Sequence, residues 1–232
     1  QRLGADAGGL MAHSIELLFD PDTEAAIRRV WDALAAAEMS GRVPPGRPHV
    51  TVAVAERIDP ARMPLTRLVN SALDGVENQQ EAVRAEIVRY AGSDALCYRA
   101  GEPEVLVERQ NQVWQPILGD IEALIGARFL LAEGIVFAQQ SEGTLAAVAD
   151  HVGKIPAPLA LAGAHNVMTL TGSAILTLAL ANGLIDSDAA WDAAHLDEDY
   201  QIGIWGQDEE AAERRIIRRR EFDSAVLLLL KG

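Results

Sequence analysis

The sequence predicts an α+β protein in which a small strand-helix-strand segment precedes a predominantly helical domain. Residues 14–19 (SIELLF) are typical of a strand, and Val50, Val52 and Val54 alternate with other residues as in a second strand. From about residue 59 the apolar period becomes helical and stays so to the end of the chain. We therefore expect a flexible lead-in at residues 1–10, a strand-helix-strand segment at 11–57 and a helical domain at 58–232.

Composition excludes several classes of partner. The 232 residues carry a formal net charge of −14, whereas nucleic acids and anionic membranes require clustered positive charge. The chain has one cysteine, so it forms no internal disulfide and no cysteine metal site. We expect no nucleic-acid partner, no metal and no cofactor.

The N-terminal segment begins with residues that have neither the basic nor the apolar region of a signal peptide. Asp20 to Thr23 predict a turn and a helix N-cap, and Ile27, Val30, Trp31 and Leu34 share one helical face. Two strands and one helix bury little apolar surface by themselves. We expect residues 1–55 to pack loosely on the rest of the chain.

The helical region contains several start and stop signals. A stripe of Leu65, Leu68, Val69 and Leu73 ends near Gly75. A second helix is expected over residues 77–91, with Val83, Ile87 and Tyr90 facing inward, and residues 95–99 are expected to be extended.

Further elements follow from proline, glycine and capping residues. Pro103 suits a first helical turn, and the helix that follows runs to residue 125 with a disturbance at Pro116. Gly134 predicts a break in the ambiguous segment 128–139. Three N-caps are expected at the starts of later helices: Ser141, Ser187 and Asp208.

An apolar stretch from Ile155 to Ile185 is long enough for a membrane span, and His165 is its one side chain able to carry charge. Prolines, glycines and polar residues interrupt it throughout. That density favours two buried helices with a break over a lipid-facing rod. We expect no stable membrane insertion.

Four strings in the helical region resemble one known family. They are MPLTRLVNSALDGV, CYRAGEPEVLVERQNQVWQPI, SAILTLALANGLI and LDEDYQIGIWG, which span residues 63 to 206 in the order of that family. The chain from about 58 to 230 thereby resembles the assembly chaperones dedicated to the alpha subunit of the F-type ATP synthase. The resemblance implies a non-enzymatic protein that holds the unassembled alpha subunit until the beta subunit replaces it, in a bacterial cytoplasm or, in a eukaryote, the mitochondrial matrix.

The segment from 11 to 55 resembles a different group. MAHSIELLFDPDTEAAIRRVWDAL and RPHVTVAVA are similar to the start of the two-histidine phosphoesterases of the 2′–5′ RNA ligase type. In that group a His-x-Thr motif occurs twice, and the two histidines act as general acid and base. Here His49 and Thr51 form one motif and no second one exists. The alternative function, a phosphodiester-cleaving enzyme, is therefore expected to be inactive, and a fusion near residues 54–60 accounts for both resemblances.

The chaperone resemblance points to one group of candidate partner-binding residues. They are Glu198, Tyr200, Gln201, Trp205, Gly206 and Asp208. A competing interpretation is a helix cap and turn, with Trp205 packed inward and the acids in solvent. A carboxylate at Glu198 can either pair with a basic side chain of a partner or accept backbone N–H groups at a helix start.

Two other clusters have simpler interpretations than a functional site. The five arginines between Arg214 and Arg220 have acidic residues around them, so i,i+4 pairing on a helix accounts for them without nucleic acid. The spacing of His165, His195 and Asp197 matches no ligand pattern for a metal.

The single His-x-Thr motif generates a test. In-line phosphodiester cleavage needs one group to accept a proton and another to donate one, and His49 supplies half of that pair. We predict no turnover of a 2′,3′-cyclic phosphate. Turnover that disappears in the His49→Ala variant would show that the prediction is wrong.

Overall fold

The structure is a computed structural model. It describes residues 13–18, 21, 24, 25, 27–29, 32, 49–55, 63–134 and 136–232. The chain divides into two units, Gln1–Pro60 and Ala61–Gly232. In the first unit, strands β1 (His13–Leu18) and β2 (His49–Ala55) pair antiparallel. The register runs from His13 opposite Ala55 to Leu18 opposite His49. Residues 24, 25, 27–29 and 32 between the strands are helical.

The second unit is mostly helical in its described part. Its helices, in chain order, are α1 (Pro64–Asp74), α2 (Gln80–Ala91), α3 (Glu104–Ile125), α4 (Glu142–Val152), α5 (Leu159–Thr171), α6 (Ala174–Ala181), α7 (Ser187–Ala194), α8 (Leu196–Trp205) and α9 (Glu209–Lys231). Two short strands, β3 (Tyr98–Arg99) and β4 (Ala132–Glu133), pair in parallel.

Side-chain caps start several of these helices, as the sequence predicts. Ser141 Oγ accepts the N–H of Thr144 at 3.0 Å, and Asp208 Oδ1 accepts the N–H of Ala211 at 2.8 Å. The predicted cap at Ser187 is wrong by one residue. Asp186 caps α7 by accepting the N–H of Ala189, because its carboxylate is placed just before the first helical turn.

The apolar stretch forms two buried helices, α5 and α6, and this prediction is confirmed. Gly172 separates them with a φ of +68°, a left-handed conformation that suits glycine. All residues of α6 from Ala174 to Leu180 are buried. No helix among the described residues has both the length and the apolar content to cross a bilayer.

Two details of the predicted helices differ from the structure. Leu68 is buried in α1, but Leu65 and Leu73 are 37% and 48% exposed, so the predicted stripe is wider than the buried face. Helix α3 continues through Pro116 without ending. Pro116 lies on the exposed side of α3, where water solvates the carbonyl group that a proline leaves without a partner.

Helices α5 and α9 cross at Gly163. A Cβ atom on this glycine would lie 2.5 Å from the backbone nitrogen of Leu229 and 2.6 Å from the backbone oxygen of Ala225. No side chain fits in that space, so the close approach of the two backbones requires glycine. The C-terminal half of α9 is buried by this packing, through Phe222, Ala225, Val226, Leu228 and Leu229.

Asp94 is a fully buried carboxylate that ties the turn before β3 to the start of α6. It accepts hydrogen bonds from the N–H of Leu96 (3.0 Å), the hydroxyl of Ser173 (2.8 Å) and the N–H of Ile175 (2.9 Å). Burial raises the pKa of Asp94 to about 6, although the hydrogen bonds oppose this shift. Near neutral pH, the buried negative charge of Asp94 at the start of α6 therefore lowers the stability of the folded state.

The raised pKa of Asp94 predicts a pH-dependent stability. The folded state binds the proton more tightly than the unfolded state, so this contribution is complete below pH 3.8 and is lost as the pH rises through about 6. The shift corresponds to about 3 kcal/mol. In denaturant titrations from pH 4 to 6.5, the wild-type chain should lose about 2 kcal/mol of stability relative to Asp94→Asn. Equal slopes in the wild-type and Asp94→Asn proteins would contradict the prediction.

The helix crossing predicts opposite effects for two glycine-to-alanine changes. Gly163→Ala should lower the free energy of unfolding by at least about 2 kcal/mol, since the backbones of α5 and α9 must move apart. Gly119→Ala, in α3 with open space around the new methyl group, should raise it by up to about 1 kcal/mol through helix propensity. Thermal and urea unfolding measure both values. A Gly163→Ala protein as stable as wild type would refute the close crossing.

Candidate functional site

A cleft of about 170 Å³ lies between α8 and the start of α9. Gly206, with a φ of +85°, reverses the chain between the two helices, and its N–H donates to the carbonyl oxygen of Ile202 at 2.9 Å. The cleft is lined by Glu198, Gln201, Ile202, Trp205, Gly206, Gln207, Asp208, Ala211, Ala212 and Arg215. Five of the six candidate residues from the sequence therefore meet in one place.

Trp205 is the largest exposed apolar side chain at the cleft. It is 82% exposed, and its Nε1–H donates to Gln201 Oε1 at 3.1 Å, one helical turn earlier. The interpretation in which Trp205 packs inward is wrong, because the end of α8 projects past the buried core. An exposed indole whose orientation is fixed by a hydrogen bond is typical of an aromatic side chain that anchors a partner.

Glu198 is exposed on the first turn of α8 and lines the cleft. It does not act as a cap, because the N–H of His195 already donates to the carbonyl oxygens of Trp191 (3.1 Å) and Asp192 (3.3 Å). Within the described part of the chain, Glu198 has no hydrogen bond or ion pair of its own. Glu198 lies in the first turn of α8, next to the positive end of the helix dipole.

The two acids beside Glu198 have internal partners. Asp197 Oδ1 accepts a hydrogen bond from Nε2 of the buried Gln110 at 2.8 Å. Asp199 forms a two-point ion pair with Arg215 on α9, with Oδ2 and Nη2 3.0 Å apart, and this hydrogen bonding raises the pKa of Arg215. Of the three adjacent acids, Glu198 is the one without a hydrogen bond or ion pair to another described residue.

Tyr200 lies on a different face of α8 from the cleft. Its half-buried ring packs against the core, and the guanidinium carbon of Arg109 lies 5.7 Å from the ring centroid. The structure therefore separates Tyr200 from the other five candidate residues.

Sequence analysis missed Ile202, Gln207, Ala211, Ala212 and Arg215 as lining residues. Positions 198, 201, 202 and 205 have the three- and four-residue spacing of one helical face. That signal is visible once residues 196–205 are assigned as a helix instead of a cap and turn.

The arginine-rich start of α9 is largely engaged by acids of the same chain. Arg214 pairs with Glu210 and Arg219 with Asp223, four residues apart in each case, which confirms the predicted i,i+4 pairing. Arg219 also pairs with Asp188 on α7, and Arg218 donates to the carbonyl oxygen of Leu170 at 2.8 Å.

The histidines have structural partners. His165 Nε2 lies 2.9 Å from Glu86 Oε2, and His195 Nδ1 lies 2.8 Å from the carbonyl oxygen of Trp191. Among the described side chains, no group of three or more His, Cys, Asp and Glu has the arrangement of a metal site. His49 and Thr51 belong to β2, and their side chains lie outside the described part of the protein.

Comparison with known proteins finds relatives that are described as ATP12 or as chaperones. The family model described as ATP12 chaperone protein matches residues 33–122, a stretch that begins before residue 58 and so overlaps the segment that resembles the phosphoesterases. The mitochondrial protein atp12 of Schizosaccharomyces pombe is 23% identical over 160 residues, which cover 65% of this chain and 55% of that protein. The chain thus spans about half the length of this curated relative. These matches do not support the phosphoesterase resemblance, which stays a prediction.

Two solved bacterial structures match with a TM-score of 0.71 each. The Atu1473 protein of Agrobacterium tumefaciens is 46% identical, and the match covers 74% of this chain and 64% of that chain. Atp12 of Paracoccus denitrificans is 35% identical, and the match covers 76% of each chain. By this identity and coverage, the chain belongs to the ATP12 chaperone family.

Proposed function

We propose that this protein is an assembly chaperone that binds the unassembled alpha subunit of the F-type ATP synthase catalytic head, without hydrolysing nucleotide. Membership of the ATP12 chaperone family supports the chaperone role. The observation that carries the proposed site is the α8–α9 cleft. There Glu198, which has no hydrogen bond or ion pair among the described residues, lies together with the exposed Trp205.

Shielding an exposed subunit surface requires a binding site and no catalytic centre. A subunit surface that is buried in the assembled head is apolar and aggregates when it is exposed. A protein that binds this surface stabilises the free subunit by mass action, in proportion to its concentration over the dissociation constant. The beta subunit then replaces the chaperone by binding the same surface. No chemical step is required of the chaperone.

The electrostatics of the cleft favour a basic side chain on the partner. Glu198 and Asp208 place two carboxylates at the cleft, while Arg215, the one cation among the described lining residues, is paired with Asp199. An arginine or lysine that stacks on the Trp205 indole and pairs with Glu198 fits both features. The compartment that we propose is the bacterial cytoplasm, or the mitochondrial matrix if the source is eukaryotic.

Two substitutions test the site. Glu198→Gln and Trp205→Ala should each weaken capture of isolated alpha subunit at least about tenfold, a loss near 1.4 kcal/mol of binding free energy. Both side chains are exposed, so the melting temperature should change by less than about 2 °C. Quantitative pull-down and thermal unfolding measure the two effects.

The matched control is Glu142→Gln. Glu142 is also an exposed acid in the first turn of a helix, α4, away from the cleft. It should lose the same small dipole stabilisation as Glu198→Gln and bind the alpha subunit normally. Unchanged capture by Glu198→Gln together with a clearly lower melting temperature would assign Glu198 a structural role instead.

A further inference from the structure

Four large apolar side chains are exposed on either side of the Gly134 turn. Leu130 and Leu131 are 56% and 44% exposed, and Val136 and Phe137 are 66% and 65% exposed. We call these four residues the apolar loop patch. Exposed groups of large apolar side chains mark interaction sites in soluble proteins, and the proposed α8–α9 cleft does not account for these.

Buried polar side chains hold this loop in place. Gln140, 5% exposed, accepts the N–H of Leu130 at 2.8 Å and donates to the carbonyl oxygen of Leu130 at 2.9 Å. The N–H of Phe129 donates to Glu122 Oε1 at 2.8 Å. These bonds hold the backbone at Leu130 in place, which lowers the entropic cost of binding through this side chain.

A short series of hydrogen bonds connects the loop to the first turn of α8. The N–H of Gly134 donates to the carbonyl oxygen of Arg99 at 3.2 Å. The next residue, Ala100, donates its N–H to Gln110 Oε1 at 2.8 Å, and Gln110 Nε2 donates to Asp197 Oδ1 at 2.8 Å. Gln110 is buried, so the loop patch and the turn that carries Glu198 are both attached to one rigid point of α3.

We propose that the apolar loop patch and the α8–α9 cleft form one docking surface for the unassembled alpha subunit. The patch covers an apolar strip of the subunit, and the cleft takes a basic side chain beside that strip. This inference rests on the proposed function and extends it from one cleft to two linked contacts. The hydrogen bonds of Gln110 hold the backbone beside the loop and the first turn of α8 to the same part of α3.

Charge identifies the occupant as a different protein and not a second copy of this chain. The chain has a net charge of −14, and the cleft part of the surface carries Glu198 and Asp208, so a second copy would bring charge of the same sign. Like charges across an interface oppose association. A subunit surface with apolar residues next to an arginine or lysine has the complementary chemistry.

The experiment compares full-length variants for capture of isolated alpha subunit over a range of salt concentrations. Phe137→Ser should weaken capture at least fivefold at every salt concentration, because an apolar contact is not screened. Glu198→Gln should weaken capture mainly at low salt and flatten its salt dependence. Leu184→Ser, which changes a 38% exposed leucine in another loop, is the matched control and should bind like wild type.

The outcomes separate this inference from the proposed function. If Glu198→Gln weakens capture while Phe137→Ser and Val136→Ser both bind like wild type, the two-part surface is refuted and the cleft stands. If the wild-type chain captures no alpha subunit, the proposed function and this inference fail together. If wild type is dimeric by sedimentation and Phe137→Ser is monomeric, the patch joins two copies, and the inference is overturned. Val136→Ser provides the second test if Phe137→Ser does not fold.

Discussion

The close crossing of α5 and α9 at Gly163 determines where one wall of the α8–α9 cleft lies. The C-terminal half of α9 is buried against α5, whereas its N-terminal half, which lines the cleft, has few buried residues. A helix is stiff over this length, so the packing at one end sets the position of the other. Helix α8 then needs a lateral connection to α9, and the ion pair between Asp199 and Arg215 supplies it.

The three acids at residues 197–199 show how neighbouring charges acquire different roles. Each residue along a helix points about 100° away from the previous one, so three successive carboxylates face three environments. Asp197 faces the buried amide of Gln110, Asp199 faces Arg215, and Glu198 faces the cleft. The two internal contacts hold the α8 turn in place, so the proposed binding of a partner at Glu198 would require little ordering of this turn.

Local signals predicted much of the helical unit, and tertiary contacts explain what they missed. Ser141, Asp208 and Gly134 act through the chain within a few residues, so their roles are visible in the sequence. Helix α8 carries Gly203 and two β-branched residues, Ile202 and Ile204, which lower its intrinsic propensity to form a helix. Local signals therefore did not predict this helix.

Distant contacts also fix the parts of the site that the sequence does not reveal. Gln110 and Arg215 stabilise α8 from 87 and 16 residues away, and no local pattern encodes such contacts. For the same reason the sequence does not show that Tyr200 faces Arg109 while Trp205, five residues later, faces solvent. Helical spacing separates these two faces only when the helix itself is known.

The proposed mode of action places a limit on affinity. A chaperone without an energy source can be removed only by a competitor that binds the same surface more strongly. Contacts by exposed side chains on a preformed surface suit this requirement, since they bury modest area and need little rearrangement on either side. In the proposed exchange, the beta subunit must therefore bind the shared surface of the alpha subunit more strongly than this chain does. An acid that attracts a basic partner raises the association rate more than it lowers the dissociation rate. A chaperone that must bind its partner quickly and later release it requires this combination of rates.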